Sequence, residues 1–302
     1  MRIIFMGTPD YAESILKELI DSVYMDVVAV YTQPDKPVGR KKIMTPPVVK
    51  TLASNYKIPV YQPNRLRDSD VVEELLKIKC DYIVVAAYGQ ILPLEILNHA
   101  PCINLHASIL PQYRGASPIQ QTLLNGDKKT GVTAMLMDVG LDTGDILKID
   151  EIEVSDDEMV ASLFNRLTIT ASKLTIDVLN NFKSYTPIKQ DDSLSTHCTK
   201  ITKKDGEVSF RDASELYNKY RAFTPWPAIY LQSGLKLKNI ELVESDSINE
   251  NAKILSIDKN SIVIGCEKGS IRILKVQPAS KKEMDISSYI NGKRLNLADT
   301  LF

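Results

Sequence analysis

The chain has 302 residues, of which 44% are hydrophobic and 25% are charged. These proportions are typical of globular proteins and exclude a disordered, collagen-like or membrane-embedded chain. At about 100–200 residues per domain, the length favours one large and one small domain.

Charge is distributed unevenly, although the formal net charge is only −1. Residues 1–199 contain 20 Lys and Arg against 25 Asp and Glu, whereas residues 200–302 contain 17 against 13. Such an asymmetry can mark a basic accessory region. We therefore expect that a polyanionic partner, if one binds, contacts the C-terminal part.

Neither the four cysteines nor the three histidines follow a metal-binding pattern. The absence of a CxxC pair and of zinc-ligand spacing predicts a protein without a metal. The N-terminal run MRIIFMGTPD does not resemble a signal peptide, and no stretch reaches about 18 apolar residues. The sequence thus predicts a cytoplasmic protein in a reducing compartment.

The first two-thirds of the chain alternates apolar, β-rich runs with helical patterns. The β-rich runs are RIIFM, DVVAVYT, IPVY, YIVVAA, CINLH, GVTAMLM and ILKIDEIEV, and the helical patterns lie near residues 12–21, 47–55, 69–79, 118–125 and 155–183. Strands that are apolar on both faces and separated by helices predict a doubly wound, mostly parallel, Rossmann-like α/β sheet. Ligands are expected at the carboxyl ends of its strands.

The last third has a different pattern. Segment 190–205 is polar with few large apolar residues, which predicts a linker. Beyond a helical pattern near 213–221, short β-rich runs such as SIVIGC and SIRILKVQ follow one another, separated by turns. This spacing predicts a small antiparallel barrel or sandwich. We therefore expect an α/β domain at 1–189 and a β domain at 206–302.

The run CINLHASILPQYRGASPIQ carries the first candidate catalytic pair, Asn104 and His106. Residues two apart on a strand point to the same side. An imidazole can take a proton near pH 7, and a carboxamide can donate a hydrogen bond to a developing oxyanion. The pair is therefore suited to promoting attack on a carbonyl group, although a lone histidine is more often structural.

The loop MDVGLDTGD follows the next predicted strand and contains Asp138, Asp142 and Asp145. A carboxylate beside His106 would orient the imidazole and stabilise its cation. Spacing does not choose among the three acids, and acids in such loops are commonly plain turn formers. No serine or cysteine nucleophile motif accompanies them, which favours direct transfer over a covalent intermediate.

Two further loops follow predicted strands. The loop TQPDKPVGRKKIMTPP carries Lys36, Arg40, Lys41 and Lys42, which makes contact with a phosphate backbone as plausible as simple solvation. The turn FMGTPDYA has a single glycine, Gly7, where a dinucleotide fingerprint needs GxGxxG. A tight turn is therefore the better interpretation of Gly7.

Together these motifs resemble the folate-dependent formyltransferases. The motifs on which the resemblance rests are, in chain order, FMGTPDYA, TQPDKPVGR, AYGQILP, INLHASILPQYRGASPIQ, MDVGLDTGDI, STHCTKITKKDG, RAFTPWPA and QPASKK. The segments PDKPVGRKK and PWPA narrow the resemblance to the members that act on methionyl-tRNA. It implies 10-formyltetrahydrofolate as formyl donor and initiator methionyl-tRNA as acceptor, giving N-formylmethionyl-tRNA for translation initiation.

The resemblance also implies roles for individual residues. Asn104, His106 and Asp142 correspond to the catalytic residues of the family: the methionine amine attacks the formyl carbon, Asn104 and protonated His106 stabilise the oxyanion, and Asp142 holds His106. The folate-binding positions are Tyr88, Gly89, Gln90, Ile91, Leu92, Ser108, Ile109, Leu110 and Pro111.

For the acceptor, the resemblance implies an OB-like C-terminal domain that follows the tRNA through phosphate contacts. The expected tRNA-binding residues are Lys36, Arg40, Lys41, Lys42, Lys203, Lys204, Lys281 and Lys282. Trp226, between two prolines, is expected to pack in the core at the domain junction. The resemblance further implies a monomer.

Three alternatives stay open at this point. A formyltransferase acting on a small amine, such as a nucleotide sugar or glycinamide ribonucleotide, would share the same central motif. A hydrolase would release formate without an acceptor. A non-catalytic RNA-binding protein is disfavoured because Asn104, His106 and Asp142 are all present.

Overall fold

The computed structural model describes residues 1–39 and 41–301 and divides into two compact units. The first unit comprises Met1–Pro118, Lys129–Glu153 and Phe164–Cys198, and the second comprises Ile119–Lys128, Val154–Leu163 and 199–301. The expected linker is therefore shared, because residues 190–198 belong to the first unit and the residues from Thr199 onward to the second.

Strands and helices alternate along the first 200 residues. The strands are β1 (Arg2–Gly7), β2 (Asp26–Tyr31), β3 (Lys36–Val38), β4 (Ile43–Thr45), β5 (Val60–Tyr61), β6 (Tyr82–Ala86), β7 (Cys102–His106), β8 (Arg114–Gly115), β9 (Lys129–Leu136), β10 (Ile146–Glu153) and β11 (His197–Cys198). The helices are α1 (Asp10–Asp21), α2 (Val48–Asn55), α3 (Ser69–Leu76), α4 (Leu94–Leu97), α5 (Pro118–Asn125) and α6 (Val160–Asn180).

Seven of these strands form the main sheet, in the order β10-β9-β7-β6-β1-β2-β5. All neighbours from β7 to β5 are parallel, whereas at one edge β9 pairs antiparallel with both β7 and β10. Ile3, Ile4, Phe5 and Met6 of the central β1 are completely buried, so both faces of the sheet are covered. Burial on both faces explains the continuous apolar runs. The predicted α/β, mostly parallel fold is confirmed.

The strand register places the carboxyl ends of β6 and β7 side by side and the end of β7 opposite the middle of β9. Val85 of β6 pairs with Asn104 of β7, and His106 pairs with Thr133 of the antiparallel β9. The carboxyl ends of β6 and β7 therefore open at the same edge of the sheet. This edge is where ligands bind in open α/β folds.

The basic loop after β2 is a hairpin rather than an irregular loop, because β3 pairs antiparallel with β4. Gly39 has a φ of +71°, a left-handed conformation that suits a tight turn, and its carbonyl accepts the Lys42 N–H at 3.2 Å. Val38 and Ile43 are paired across the hairpin, yet both side chains are exposed. Arg40 lies outside the described residues.

The second unit contains an antiparallel sheet and two helices of the C-terminal third. Its strands are β12 (Ile229–Tyr230), β13 (Lys236–Ile248), β14 (Ile254–Ile257), β15 (Ile262–Gly265), β16 (Lys268–Gln277) and β17 (Met284–Asp285), and its helices are α7 (Ala213–Phe223) and α8 (Ile286–Lys293). The order is β12-β13-β16-β15-β14, with β17 paired to β16. The predicted antiparallel β domain is confirmed.

The expectation that Trp226 packs in the core is wrong, because its side chain is 60% exposed. Phe223 and Ile229, on either side of it in the chain, are buried and fill the core positions instead. Elsewhere, none of the helices that the structure describes is long and apolar enough to cross a membrane.

Candidate active site

The end of β7 and the loop after β9 bring together the three residues expected to be catalytic. Asn104 and His106 are 9% and 6% exposed, and the Asp142 side chain is 10% exposed. Asn104 Nδ2 donates to Asp142 Oδ1 at 3.3 Å, and His106 Nδ1 lies 3.7 Å from Asp142 Oδ2. The cluster therefore offers an amide, an imidazole and a carboxylate within reach of one small group.

The three acids of the loop have different surroundings. Asp138 caps its own turn, since Oδ1 accepts the Gly140 N–H at 2.9 Å and the Thr143 hydroxyl at 2.6 Å. Among the described residues, the Asp145 side chain has no hydrogen-bond or ion-pair partner. Asp142 is thus the one acid of the three that faces the imidazole.

His106 has its two ring nitrogens in different environments. Nε2 lies 2.9 Å from the carbonyl oxygen of Tyr113, which can only accept, so Nε2 carries a hydrogen. Nδ1 faces the Asp142 carboxylate and is the nitrogen that can gain or lose a proton without breaking the Tyr113 contact. Proton exchange at this site is therefore directed to Nδ1.

Asp142 is held in an uncommon backbone conformation, with a φ of +56°. Its Oδ2 accepts the backbone N–H of Gly115 at 2.8 Å. Gly115 itself has a φ of +119°, and a Cβ there would lie 2.2 Å from the carbonyl oxygen of Cys198. Only glycine fits this close approach to Cys198, which explains the glycine of the RGAS motif, and its backbone N–H holds the Asp142 carboxylate.

Thr133 is a site residue that sequence reasoning missed. On β9 its Oγ1 donates to the carbonyl oxygen of Ser108 at 2.7 Å and accepts the N–H of Leu110 at 3.1 Å. The loop that follows His106 is therefore fixed by one buried hydroxyl. A threonine inside the otherwise apolar run GVTAMLM was the available signal, because a buried hydroxyl needs partners.

The two segments expected to bind folate lie at the ends of β6 and β7, and most of their side chains have structural partners. Tyr88 and Leu92 are buried, and Gln90 accepts the Leu66 N–H at 2.7 Å while donating to the Pro63 carbonyl at 3.1 Å. The exposed elements are the backbone around Gly89, with a φ of +81°, and the Ile91 side chain.

After β7, the side chains of the second segment are also largely committed. Ser108 is buried, and its hydroxyl donates to the Gln112 carbonyl at 2.6 Å, while Leu110 is buried and Ile109 and Pro111 are partly exposed. A ligand at this edge would therefore meet mainly backbone groups and apolar side chains.

The lysines expected to contact tRNA are all exposed: Lys36, Lys41, Lys42, Lys203, Lys204, Lys281 and Lys282. In the parts of the chain that the structure describes, none of the seven forms an ion pair. Their charges are therefore not neutralised by the protein's own carboxylates. Arg40, the eighth expected contact, cannot be placed with them. Within residues 1–39 and 41–301, no group of three or more His, Cys, Asp or Glu side chains is arranged to hold a metal ion.

Comparison with known proteins identifies the family to which the chain belongs. Residues 1–179 match the formyl transferase family, and residues 200–294 match the formyl transferase C-terminal domain. A protein of Sulfurimonas denitrificans named methionyl-tRNA formyltransferase is 70% identical, with both chains fully covered. One of the same name from Nitratiruptor sp. is 55% identical, also with both chains fully covered.

Comparison with solved structures finds a similar fold at low sequence identity. The structure of an N-formyltransferase from Helicobacter canadensis, in complex with folinic acid and dTDP-3-aminofucose, superposes with a TM-score of 0.70. The two are 18% identical, and the match covers 91% of this chain and 99% of that one. At this identity the match supports the fold alone, whereas the full-length sequence matches confirm the resemblance: the chain belongs to the formyl transferase family, among the methionyl-tRNA formyltransferases.

Proposed function

We propose that this chain transfers the formyl group of 10-formyltetrahydrofolate to the α-amino group of methionine on initiator tRNA. The observation that carries the proposal is the buried cluster of Asn104, His106 and Asp142 at the carboxyl end of β7. Its chemistry suits acyl transfer to an amine, and the full-length relatives are named for that activity.

The reaction needs one proton to change places. Transfer forms a C–N bond to the methionine nitrogen and breaks the C–N bond to N10 of the folate, while one proton moves from the first nitrogen to the second. The formyl oxygen gains negative charge on the way, so donors aimed at it lower the barrier.

Each residue of the cluster has one part in this chemistry. Among the described residues, only one hydrogen of Asn104 Nδ2 is engaged, by Asp142, so the other is available to the developing oxyanion. His106 carries a proton on Nδ1, supports the oxyanion and relays the proton toward the leaving nitrogen. Asp142 stabilises the imidazolium and fixes the amide of Asn104.

We propose that the folate is held by backbone groups of the turn 88–92 and by the segment 108–111. Gly89 leaves its backbone open to close approach, and Ile91 offers an exposed apolar surface. A flat, partly apolar ring with hydrogen-bonding edges suits such a site. The folate would supply the formyl group, and the chain would supply orientation and proton control.

For the acceptor, we propose that the hairpin β3–β4 and the C-terminal domain contact the tRNA. The exposed, unpaired lysines would neutralise phosphates, and the exposed Val38, Ile43 and Met44 suit contact with nucleotides outside a duplex. We assign catalysis to 1–189 and tRNA contact to 206–302, joined by 190–205. We also propose a cytoplasmic location, because the aminoacylated tRNA substrate is made there. We propose a monomer, because the family resemblance implies one.

The direct test is to incubate the chain with 10-formyltetrahydrofolate and one of four acceptors: initiator methionyl-tRNA, elongator methionyl-tRNA, a dTDP-amino sugar, or none. Formylation of initiator methionyl-tRNA alone is the expected result. Formylation of the amino sugar instead would replace the proposal with a small-amine transferase. Formate release without an acceptor would replace it with a hydrolase.

A further inference from the structure

We infer that Gln190 is a positioning residue for Asp142 and thereby sets the geometry of formyl transfer. This inference rests on the proposed function of the Asn104, His106 and Asp142 cluster. Gln190 is 6% exposed although it lies in a segment whose composition predicts a linker. Its carboxamide bridges the loop that carries Asp142 to the strand that follows the His106 loop.

The donor side of the carboxamide contacts the acidic loop. Gln190 Nε2 donates to the carbonyl oxygen of Asp142 at 3.0 Å and to that of Gly144 at 2.7 Å. The amide thus donates to both ends of the short turn 142–144, which contains the Asp142 carboxylate. Because Asp142 has a φ of +56°, this turn needs outside contacts to keep its shape.

The acceptor side of the same carboxamide is fixed by Arg114. Gln190 Oε1 accepts from Arg114 Nε at 3.1 Å and from Nη2 at 2.8 Å. A guanidinium can only donate, so the oxygen of the carboxamide must face Arg114 and its nitrogen must face the two carbonyls. Arg114 is 3% exposed, and its other partner, Asp192, lies at the surface.

The segment 190–198 reaches Asp142 by a second route. Its strand β11 pairs in parallel with β8, with Cys198 opposite Gly115. Gly115 donates its N–H to Asp142 Oδ2 at 2.8 Å. Gln190 therefore holds the backbone of Asp142. The side chain of Asp142 is held by Gly115 of β8, the strand that pairs with this segment. A shift of about 1 Å at a reacting group can cost about 100-fold in rate, so such support is functionally significant.

The test variant is Gln190→Glu, which keeps an acceptor for Arg114 but replaces the donating NH₂ with an oxygen that repels the two carbonyls. We expect kcat for formyl transfer to fall about 10–100-fold while KM for both substrates stays within about threefold. The matched control is Asp192→Asn, which alters the exposed partner of Arg114 only. Its kcat should stay within about twofold of wild type.

A double variant separates positioning from general destabilisation. If Gln190 acts through Asp142, adding Gln190→Glu to Asp142→Asn should lower kcat little further, since residues that act as a unit are not additive. Multiplying effects, a change confined to KM, or an unchanged kcat in folded Gln190→Glu would each overturn the inference.

A second readout does not depend on activity. Amide hydrogen exchange in residues 138–145 should be faster in Gln190→Glu than in wild type and unchanged in Asp192→Asn, whereas equal exchange would overturn the inference. If wild type formylates another amine, the proposed function fails, but the kcat comparison can still be made with that amine. If Gln190→Glu does not fold, Gln190→Met, which is uncharged and similar in length but has no NH₂ donor, replaces it in both measurements.

Discussion

Replacing Asp142 with asparagine should damage catalysis far more than stability. The carboxylate accepts two N–H groups, from Gly115 at 2.8 Å and from Asn104 at 3.3 Å, on different oxygens. A carboxamide has one oxygen, so whichever way it turns, one of these donors meets an NH₂ group. An unpaired buried donor costs about 1–3 kcal/mol, which sets the expected loss in the free energy of unfolding.

The loss in rate should be larger because the negative charge beside His106 is also removed. We expect kcat to fall about 10²–10⁴-fold, the usual range for disabling general acid–base catalysis. At 1.36 kcal/mol per tenfold, this is about 2.7–5.4 kcal/mol in the activation barrier. The imidazole would keep its Tyr113 contact but lose the anion that stabilises its cation.

Rapid-quench assays of formyl transfer and urea unfolding of the same samples measure the two effects of Asp142→Asn. Asp145→Asn is the matched control, because it makes the same change in the same loop at a side chain without a partner among the described residues. Its kcat should stay near the wild-type value. The assignment of Asp142 is refuted if the Asp142 variant keeps wild-type kcat, or if the control loses as much.

Three other perturbations test separate parts of the structure. Gly115→Ala would place a Cβ 2.2 Å from a backbone carbonyl oxygen at a φ of +119°, so the free energy of unfolding should fall by about 1–3 kcal/mol. Gly292→Ala is the control: Gly292 lies in a helix with open space around it, so the change should be neutral or stabilising. Lys42→Ala should raise KM for tRNA but not for folate. In salt titrations it should also reduce the slope of log tRNA affinity against log salt concentration by roughly 0.7–0.9. An unchanged slope would show that Lys42 does not contact a phosphate. Burial raises the pKa of the Cys102 and Cys266 thiols to about 12, so the folded state keeps protons that the unfolded thiols lose above about pH 8.5. The free energy of unfolding should therefore fall as the pH rises from about 8.5 toward 12. A rise in the urea midpoint over that interval would contradict this prediction.

The sheet of the first unit could be predicted from sequence because its strands are buried on both faces. Runs such as IIFM and IVVAA contain no polar residue, so the positions of these strands follow from the sequence. The polar residues Asn104 and His106 within CINLH mark the ligand edge. The hairpin β3–β4 could not be predicted in this way. Its apolar side chains are exposed, so no alternation of buried and exposed residues marks the strands.

At the site, sequence reasoning from one strand could place Asn104 and His106 on a common side, but it could not choose among the three acids. That choice depends on the left-handed backbone of Asp142 and on contacts from distant segments. Gln190 was missed for the same reason: its partners lie 46, 48, 55 and 76 positions away in the chain, and its neighbours are polar. Local composition predicts a linker there, whereas the tertiary contacts bury it.

The most direct test of the central claim is to measure, on the same samples of His106→Ala, the single-turnover rate of formyl transfer to initiator methionyl-tRNA and the affinity for that tRNA. His99→Ala is the control, because His99 precedes β7 and, among the described residues, its ring has a single hydrogen-bond partner, the Ile78 carbonyl at 2.9 Å. The account predicts a rate lowered by about 100-fold or more in His106→Ala, with tRNA affinity unchanged, and a wild-type rate in the control. A wild-type rate in His106→Ala, or a loss explained entirely by weaker tRNA binding, would contradict it.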